Sequence, residues 1–270
     1  MAQIINTNIA SMTAQRNLDT SQSSLRTSLQ RLSSGLRVNS SKDDAAGLAI
    51  AEKMTSQSRG MTVAMRNAND GISAAQTAEA GLATVSGHLQ RMRELATQAA
   101  SGQYDSTNRG ALEKEFQALG SEVARAVDAT NFNGKKLLDG NFSGVAFQIG
   151  ATTTSESQIS ITIGSVGTSS FGSLSEASSA LSAMSTLDTA IKNVSDSRAG
   201  LGALQSRFEG VLSQLSSARE NTEAARSRIM DADYAAETAN LSRAQILQQA
   251  GTAMLAQANA LPQNVLSLLQ

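Results

Sequence analysis

The stretch LQQAGTAMLAQANALPQNVLSL, residues 247–268, decides how this chain is expected to fold. Its small and apolar residues recur at alternating steps of four and three: Leu247, Gly251, Met254, Ala258, Leu261, Val265 and Leu268. That spacing is a heptad seam, a stripe that one helix buries against another. The other end of the chain carries a similar stripe in Leu18, Leu25, Leu29, Leu32 and Leu36. Chain ends are normally the frayed parts of a domain. Two ends written as adhesive helices predict a protein that associates through its termini. Gly251 and Ala258 keep the seam narrow, so that helices crowd closely along it.

Composition extends this reading to the whole chain. Of 270 residues only one is Pro, and only 3% are aromatic, with no Trp. A proline inside a helix costs about 3 kcal/mol, so its near absence leaves room for very long helices. With few aromatic rings to give bulk, the core must come from Leu, Ile, Val, Met and Ala packed between helices. The net charge of -1 and the lack of a basic stripe argue against nucleic acid as a partner. Zero Cys excludes disulfides, thiolate catalysis and Cys-type metal sites. Met1–Arg16 has no basic stretch followed by an apolar core, so no cleavable secretory signal is expected there. No apolar run reaches the roughly 20 residues that span a bilayer, which predicts no membrane insertion.

Periodicity predicts a first amphipathic helix over about Ile4–Leu36, ended by Gly35. A polar break follows, with Ser41 and Asp44 patterned as a helix N-cap. From Asp44 the chain is helix-compatible to about Ala100, about 85 Å of helix. Ile50, Met54, Met61, Met65, Ile72, Leu82, Val85, Leu89, Met92 and Leu95 mark its buried stripe. A shorter helix is predicted over Arg109–Thr130. Asn131-Phe132-Asn133-Gly134 and Leu138-Asp139-Gly140-Asn141 are turn signals. The period then changes to two in Val145, Phe147, Ile149 and again in Ile159, Ile161, Ile163, which predicts a β-hairpin. Helix resumes from about Ser175 to Ser227, with Leu181 and Leu187 among its apolar marks. A second break spans Arg228–Asp233, and the C-terminal helix follows, with a kink or fray expected at Pro262.

The plan is symmetric about its middle, and it places the two breaks side by side. It predicts a mainly α fold: an antiparallel rod of long helices bundled as in a coiled coil, with one small β-hairpin at about 132–165 and the N- and C-termini paired. Two sections are expected, residues 1–42 with 232–270 and residues 43–231. Two amphipathic helices alone bury little, so the terminal section is expected to order fully only when neighbours cover its seams.

Chemistry has little to work with. The lone His88 lies in a helix beside Leu89, where a helix-packing role outweighs a catalytic one. Asp43-Asp44 and Asp231/Asp233 read as helix caps before they read as an ion site. Gly134-Lys135 lacks the rest of a phosphate loop. No catalytic residue, cofactor or metal is predicted. Arg91, Arg93, Glu94, Arg109, Glu113, Lys114 and Glu115 form a charged face that serves either as solvated surface or as a recognition surface. The terminal helices lack the basic face and bulky aromatic anchors of lipid-binding helices.

Several motifs carry a family resemblance. Ile5-Asn6-Thr7-Asn8, Leu32-Ser33-Ser34-Gly35-Leu36-Arg37-Val38-Asn39, Asp43-Asp44-Ala45-Ala46-Gly47 and Phe132-Asn133-Gly134 resemble bacterial flagellin. So do Ser242-Arg243-Ala244-Gln245-Ile246-Leu247-Gln248-Gln249-Ala250-Gly251 and Pro262-Gln263-Asn264-Val265-Leu266-Ser267-Leu268-Leu269. The resemblance covers almost the whole chain, in a short form without the variable outer domains. It implies a secreted subunit, exported through the flagellar type III apparatus, that polymerises with copies of itself into the extracellular filament used for swimming. Terminal helices would form the inner coiled-coil tube and the long helices with the hairpin the outer tube. Implied partners are an export chaperone, the filament cap and hook-associated proteins. A hook-filament junction protein is the alternative. The match of Gln90-Arg91-Met92-Arg93-Glu94-Leu95 further implies recognition by the flagellin-sensing Toll-like receptor through Arg91 and Leu95, with Glu115 beside them. Ser and Thr at 151–182 are candidates for O-linked glycans.

Overall fold

The computed structural model describes residues 7–167 and 171–267, with side chains described through Ala260. Five α-helices dominate: α1 Ile9–Ser34, α2 Ala45–Ala100, α3 Ser106–Ala129, α4 Ala177–Met230 and α5 Tyr234–Ser267. Between α3 and α4 lie four short strands, β1 Asn131–Phe132, β2 Lys135–Lys136, β3 Val145–Gln148 and β4 Gln158–Ile161. The chain divides into two compact units, one of residues 1–56 and 221–270, the other of residues 57–220.

In the central unit the period-two segments pair antiparallel, Val145 with Ile161 and Phe147 with Ile159. Buried Ile149 and Ile163 continue the alternation beyond the ladder. A second, miniature hairpin joins β1 to β2 through Asn133-Gly134, with φ of 50° and 77°. Positive φ at both positions matches a two-residue hairpin turn, which Asn and Gly tolerate best. α2, α3 and α4 contribute to one cluster with the strands and loops, including Leu82, Leu89, Met92, Phe116, Leu187 and Phe208. Gly71 permits a close approach: a Cβ there would lie 2.8 Å from the Phe208 ring. Phe208 in turn meets Phe147 edge-on, at 6.1 Å between centroids, a favourable arrangement of the two ring quadrupoles.

Two marks of the sequence stripes are exposed. Ile50 is 48% and Leu181 60% exposed. Their neighbours Ala51, Ala180 and Ala183 hold the buried positions instead. The faces of α2 and α4 that pack are richer in Ala than a reading weighted to large residues expects.

The terminal unit is built from α1, the first turns of α2, the last turns of α4, and α5. Its compact boundaries lie further into the chain than 42 and 232. The reason is that the two breaks are clasped together with the helix ends beside them. Leu36 and Asp231 form an antiparallel bridge. Around it Arg37 N donates to Met230 O at 2.6 Å and Ala232 N to Gly35 O at 2.9 Å. The Arg37 guanidinium donates to Ile229 O at 2.6 Å, placing positive charge at the C-terminus of α4. With those carbonyls satisfied, α4 continues to Met230, beyond the expected end at Ser227. Arg226 then reaches Thr55 Oγ1 at 3.3 Å, tying α4 to α2 inside this unit.

The acidic pairs act as caps. Asp44 Oδ1 accepts from Gly47 N at 2.8 Å to start α2, and Asp233 Oδ1 accepts from Ala235 N at 2.9 Å to start α5. Asp43 organises the break: the N–H of Asn39, then the hydroxyl and N–H of Ser40, hold its carboxyl below the usual carboxylate range. α3 begins at Ser106 rather than Arg109, because Asp105 caps the N–H of Asn108 at 2.7 Å. The expected start at Ile4 lies outside the described residues; α1 runs from Ile9, capped by Asn8.

Candidate assembly interface

α1 and α5 pack along each other, and small side chains set how closely. On α1 the covered positions are Ser11, Ala14, Leu18, Ser21, Leu25, Ser28 and Leu32; on α5 they are Glu237, Leu241, Ala244, Gln248, Gly251, Leu255 and Ala258. Each set steps by alternating threes and fours, the spacing of a coiled-coil seam. Ser11, Ser28, Ala244 and Ala258 are buried, as is Glu237, a charged residue within the seam. A Cβ on Gly251 would stand 3.3 Å from Leu18 Cδ1. Glu237 lies 3.8 Å from Arg31, its side chain 10% exposed. Beside this pair a groove of about 430 Å³ opens among Thr20, Ser24, Thr27 and Arg243.

The far end of the pair is closed by a polar clasp. Asn8 Oδ1 accepts from Ser11 N at 3.0 Å, while its Nδ2 donates to Ala258 O at 2.8 Å. Ser11 Oγ donates to Asn259 Oδ1 at 2.8 Å. Ala258 O is the carbonyl that the N–H of residue 262 would ordinarily satisfy, and residue 262 is the proline. Asn8 supplies the missing donor, and α5 continues past Pro262 to Ser267 where a kink or fray was expected.

The seam of the structure therefore differs from the one read in the sequence. Gly251 and Ala258 belong to both. Leu247 and Met254 do not face α1; they are 51% and 63% exposed. Leu29 of α1 is 50% exposed. Leu18, Leu25 and Leu32 are half-buried in the pair, and half-buried Leu36 lies in the bridge to Asp231. Leu261 and Val265 lie where only the backbone is described, and Leu268 lies outside the described residues. The covered stripe keeps Ala244, Gly251 and Ala258 and adds the half-buried Leu241 and Leu255, while Ile246, Leu247 and Met254 turn to solvent.

The charged face of the central unit resolves into discrete ion pairs. Arg91 Nε donates to Glu115 Oε1 at 3.0 Å and Nη1 to Glu94 Oε2 at 2.9 Å. The Glu94 and then the Glu115 carboxylate hold the Arg91 pKa above its ordinary value. Arg93 pairs with Asp188 of α4 at 2.5 Å. Arg91 and Glu115 are thus brought together at the surface. Leu95 is not, being 1% exposed in the core; its place in the apolar stripe outweighs its place one turn from Arg91. Among the described residues no group of His, Cys, Asp or Glu has the makings of a metal site, and no helix is long and apolar enough to cross a membrane.

Comparison with known proteins agrees with this architecture. Residues 5–143 match the bacterial flagellin N-terminal helical region, and residues 184–269 match the bacterial flagellin C-terminal helical region. The chain belongs to the bacterial flagellin family. A flagellin of Halalkalibacterium halodurans is 44% identical over 271 residues, covering 99% of this chain and 100% of that one. Flagellin A of Vibrio cholerae is 35% identical over an alignment of 381 positions that covers 98% of this chain and 99% of the relative. The longer relative therefore holds residues with no counterpart here, and this chain is a short flagellin. The crystal structure of Bacillus cereus flagellin aligns with a TM-score of 0.51 at 30% identity, over 56% of this chain and 88% of that one. A putative flagellar hook-associated protein from Vibrio parahaemolyticus shares the fold at 12% identity, with a TM-score of 0.58 over 70% of this chain and all of that one. Flagellins are structural proteins, not enzymes, and they assemble into the extracellular flagellar filament. This chain is accordingly a filament subunit.

Proposed function

We propose that the terminal helix pair is the element through which copies of this flagellin polymerise, and that it lines the inner tube while the central unit forms the outer tube. The observation that carries this reading is the division of labour on α5. One face, with Leu241, Gly251, Leu255 and Ala258, is spent against α1, and Leu247 and Met254 remain uncovered on a helix that repeats them seven residues apart. Such a stripe is costly to leave in water and is covered by a second copy of the same chain. Covering one large apolar side chain contributes about 1.5–3 kcal/mol. The export chaperone, filament cap and hook-associated proteins would meet the same ends of the chain before or during assembly.

Electron microscopy of the purified protein tests this. The chain is expected to form long filaments alone, and Leu247→Ser is expected to abolish them while leaving the helical circular dichroism signal intact. Filaments of undiminished length from Leu247→Ser would sink the proposal. Failure of the unaltered protein to form long filaments by itself would favour a hook-filament junction protein.

A secondary role as ligand of the flagellin-sensing Toll-like receptor rests on the exposed Arg91–Glu115 pair, held in one geometry by Glu94. Leu95 has no part in that surface. Receptor signalling by Arg91→Ala monomer is expected to fall; signalling equal to that of the unaltered monomer removes the role.

A further inference from the structure

Nine methionines occur in the chain, and Met1 lies outside the described residues. Of the others only Met12 and Met254 are exposed, at 55% and 63%. Met92 is fully buried in the central core, and Met54, Met61, Met65, Met184 and Met230 are half-buried. Both exposed thioethers therefore sit on the same structural element, the α1–α5 pair. Met254 shares its face with Leu247, seven residues before it. Nothing in the fold of the single chain requires sulfur at either place, since neither side chain packs into a core.

We propose that Met12 and Met254 are oxidation-sensitive sites that switch filament assembly off, an inference that rests on the assembly role of the terminal pair. The oxidant is a peroxide. A thioether lone pair attacks the terminal peroxide oxygen, forming the S–O bond as the O–O bond breaks. The departing hydroxide takes up the proton of the transferred oxygen, so sulfur is oxidised by two electrons and the peroxide leaves as water. The product sulfoxide is polar and chiral where an apolar, flexible side chain stood, and a thiol-dependent sulfoxide reductase reverses the change.

Two consequences follow from the geometry. In the free subunit the exposed thioethers react first and Met92 is spared, because reaction follows access to solvent. In the filament a neighbouring copy covers the stripe, so Met254 becomes protected. Oxidation therefore acts on subunits awaiting assembly and leaves existing polymer intact. Leu at either position would provide the same apolar surface without this sensitivity.

The test uses the full chain. Purified monomer is treated with hydrogen peroxide and mapped by peptide mass for one added oxygen, then polymerised and followed by light scattering and electron microscopy. Met12 and Met254 are expected to be modified ahead of Met92. The concentration needed for filaments is expected to rise about tenfold, the weight of one polar group buried without a partner. Met12→Leu with Met254→Leu conserves volume and fold, and is expected to assemble equally with and without peroxide. Pre-formed filaments are expected to keep Met254 unmodified. The inference is overturned if oxidised wild-type protein assembles like the untreated protein, or if peroxide impairs the double leucine variant as much as the wild type. It is also overturned if Met92 is modified as fast as Met254. Untreated protein that fails to form filaments would instead bring down the assembly reading, and this switch with it, before peroxide is added.

Discussion

The two units spend the same kinds of residue in opposite ways. Every member of the large buried cluster lies between Ala68 and Phe208, inside the central unit, where Phe, Leu, Ile and Val fill the space among helices and strands. Among the described residues, the buried positions of the terminal unit are Ser11, Ser28, Val38, Gly47, Ala51, Glu237, Ala244 and Ala258. Several of its larger residues, Leu29, Ile246, Leu247 and Met254 among them, face water. The central unit is stabilised by what it hides. The terminal pair is held by close approach, by half-buried leucines such as Leu18, Leu25, Leu241 and Leu255, and by polar contacts, and leaves a second hydrophobic stripe in water. One unit is a finished core, and the other has the exposed apolar surface that the proposed assembly would cover.

The sharpest way to break this contrast is to empty the centre. Phe208 is fully buried, edge-on to Phe147 and with the tip of its ring against Gly71. Phe208→Ala is expected to destabilise the central unit by about 3–5 kcal/mol, as removal of a buried aromatic ring does. Urea denaturation followed by circular dichroism measures it. Leu247→Ser, by contrast, is expected to leave the same unfolding midpoint within error. A shift caused by Leu247→Ser comparable with that of Phe208→Ala would mean that the terminal stripe is part of the folded core, and the distinction between the units would fall.

Much of this division was legible in the chain, and its limits are physical. The long helices are written in the 3.6-residue period and the want of proline. The Asn133-Gly134 turn and the caps Asp44 and Asp233 are local chemistry, which needs no knowledge of the rest of the fold. The register of the terminal seam was not legible. Gly251 and Ala258 lie on two overlapping stripes, and counting hydrophobic residues favours the one with Leu247 and Met254. The fold packs the other against α1, which carries Leu241 and Leu255 but also Glu237 and Gln248, polar residues that a hydrophobic count passes over. Leu95 shows the reverse case. Periodicity put it in the buried stripe while resemblance put it on the surface, and burial at 1% follows periodicity. The Arg37 clasp was beyond sequence reading because its acceptors stand at Arg228 and Ile229, on the far side of the chain's fold-back.

The smallest effect tests whether polar contacts hold the terminal pair. Asn8 serves two ends at once, capping α1 through Oδ1 and donating through Nδ2 to the carbonyl that Pro262 leaves without an N–H. Asn8→Ala is expected to cost about 1 kcal/mol, the usual worth of a cap or one net hydrogen bond. Restoring an N–H with Pro262→Ala gives Ala258 O a partner within its own helix. In that background Asn8→Ala loses only the cap, so its cost is expected to drop. The double-mutant cycle isolates this term, read from amide hydrogen exchange of the first turns of α1 at residues 11–18. Strict additivity of the two substitutions would mean that the Asn8–Ala258 contact contributes nothing. The pair would then be held by its small-residue seam alone, and the polar half of the contrast between the units would have to be withdrawn.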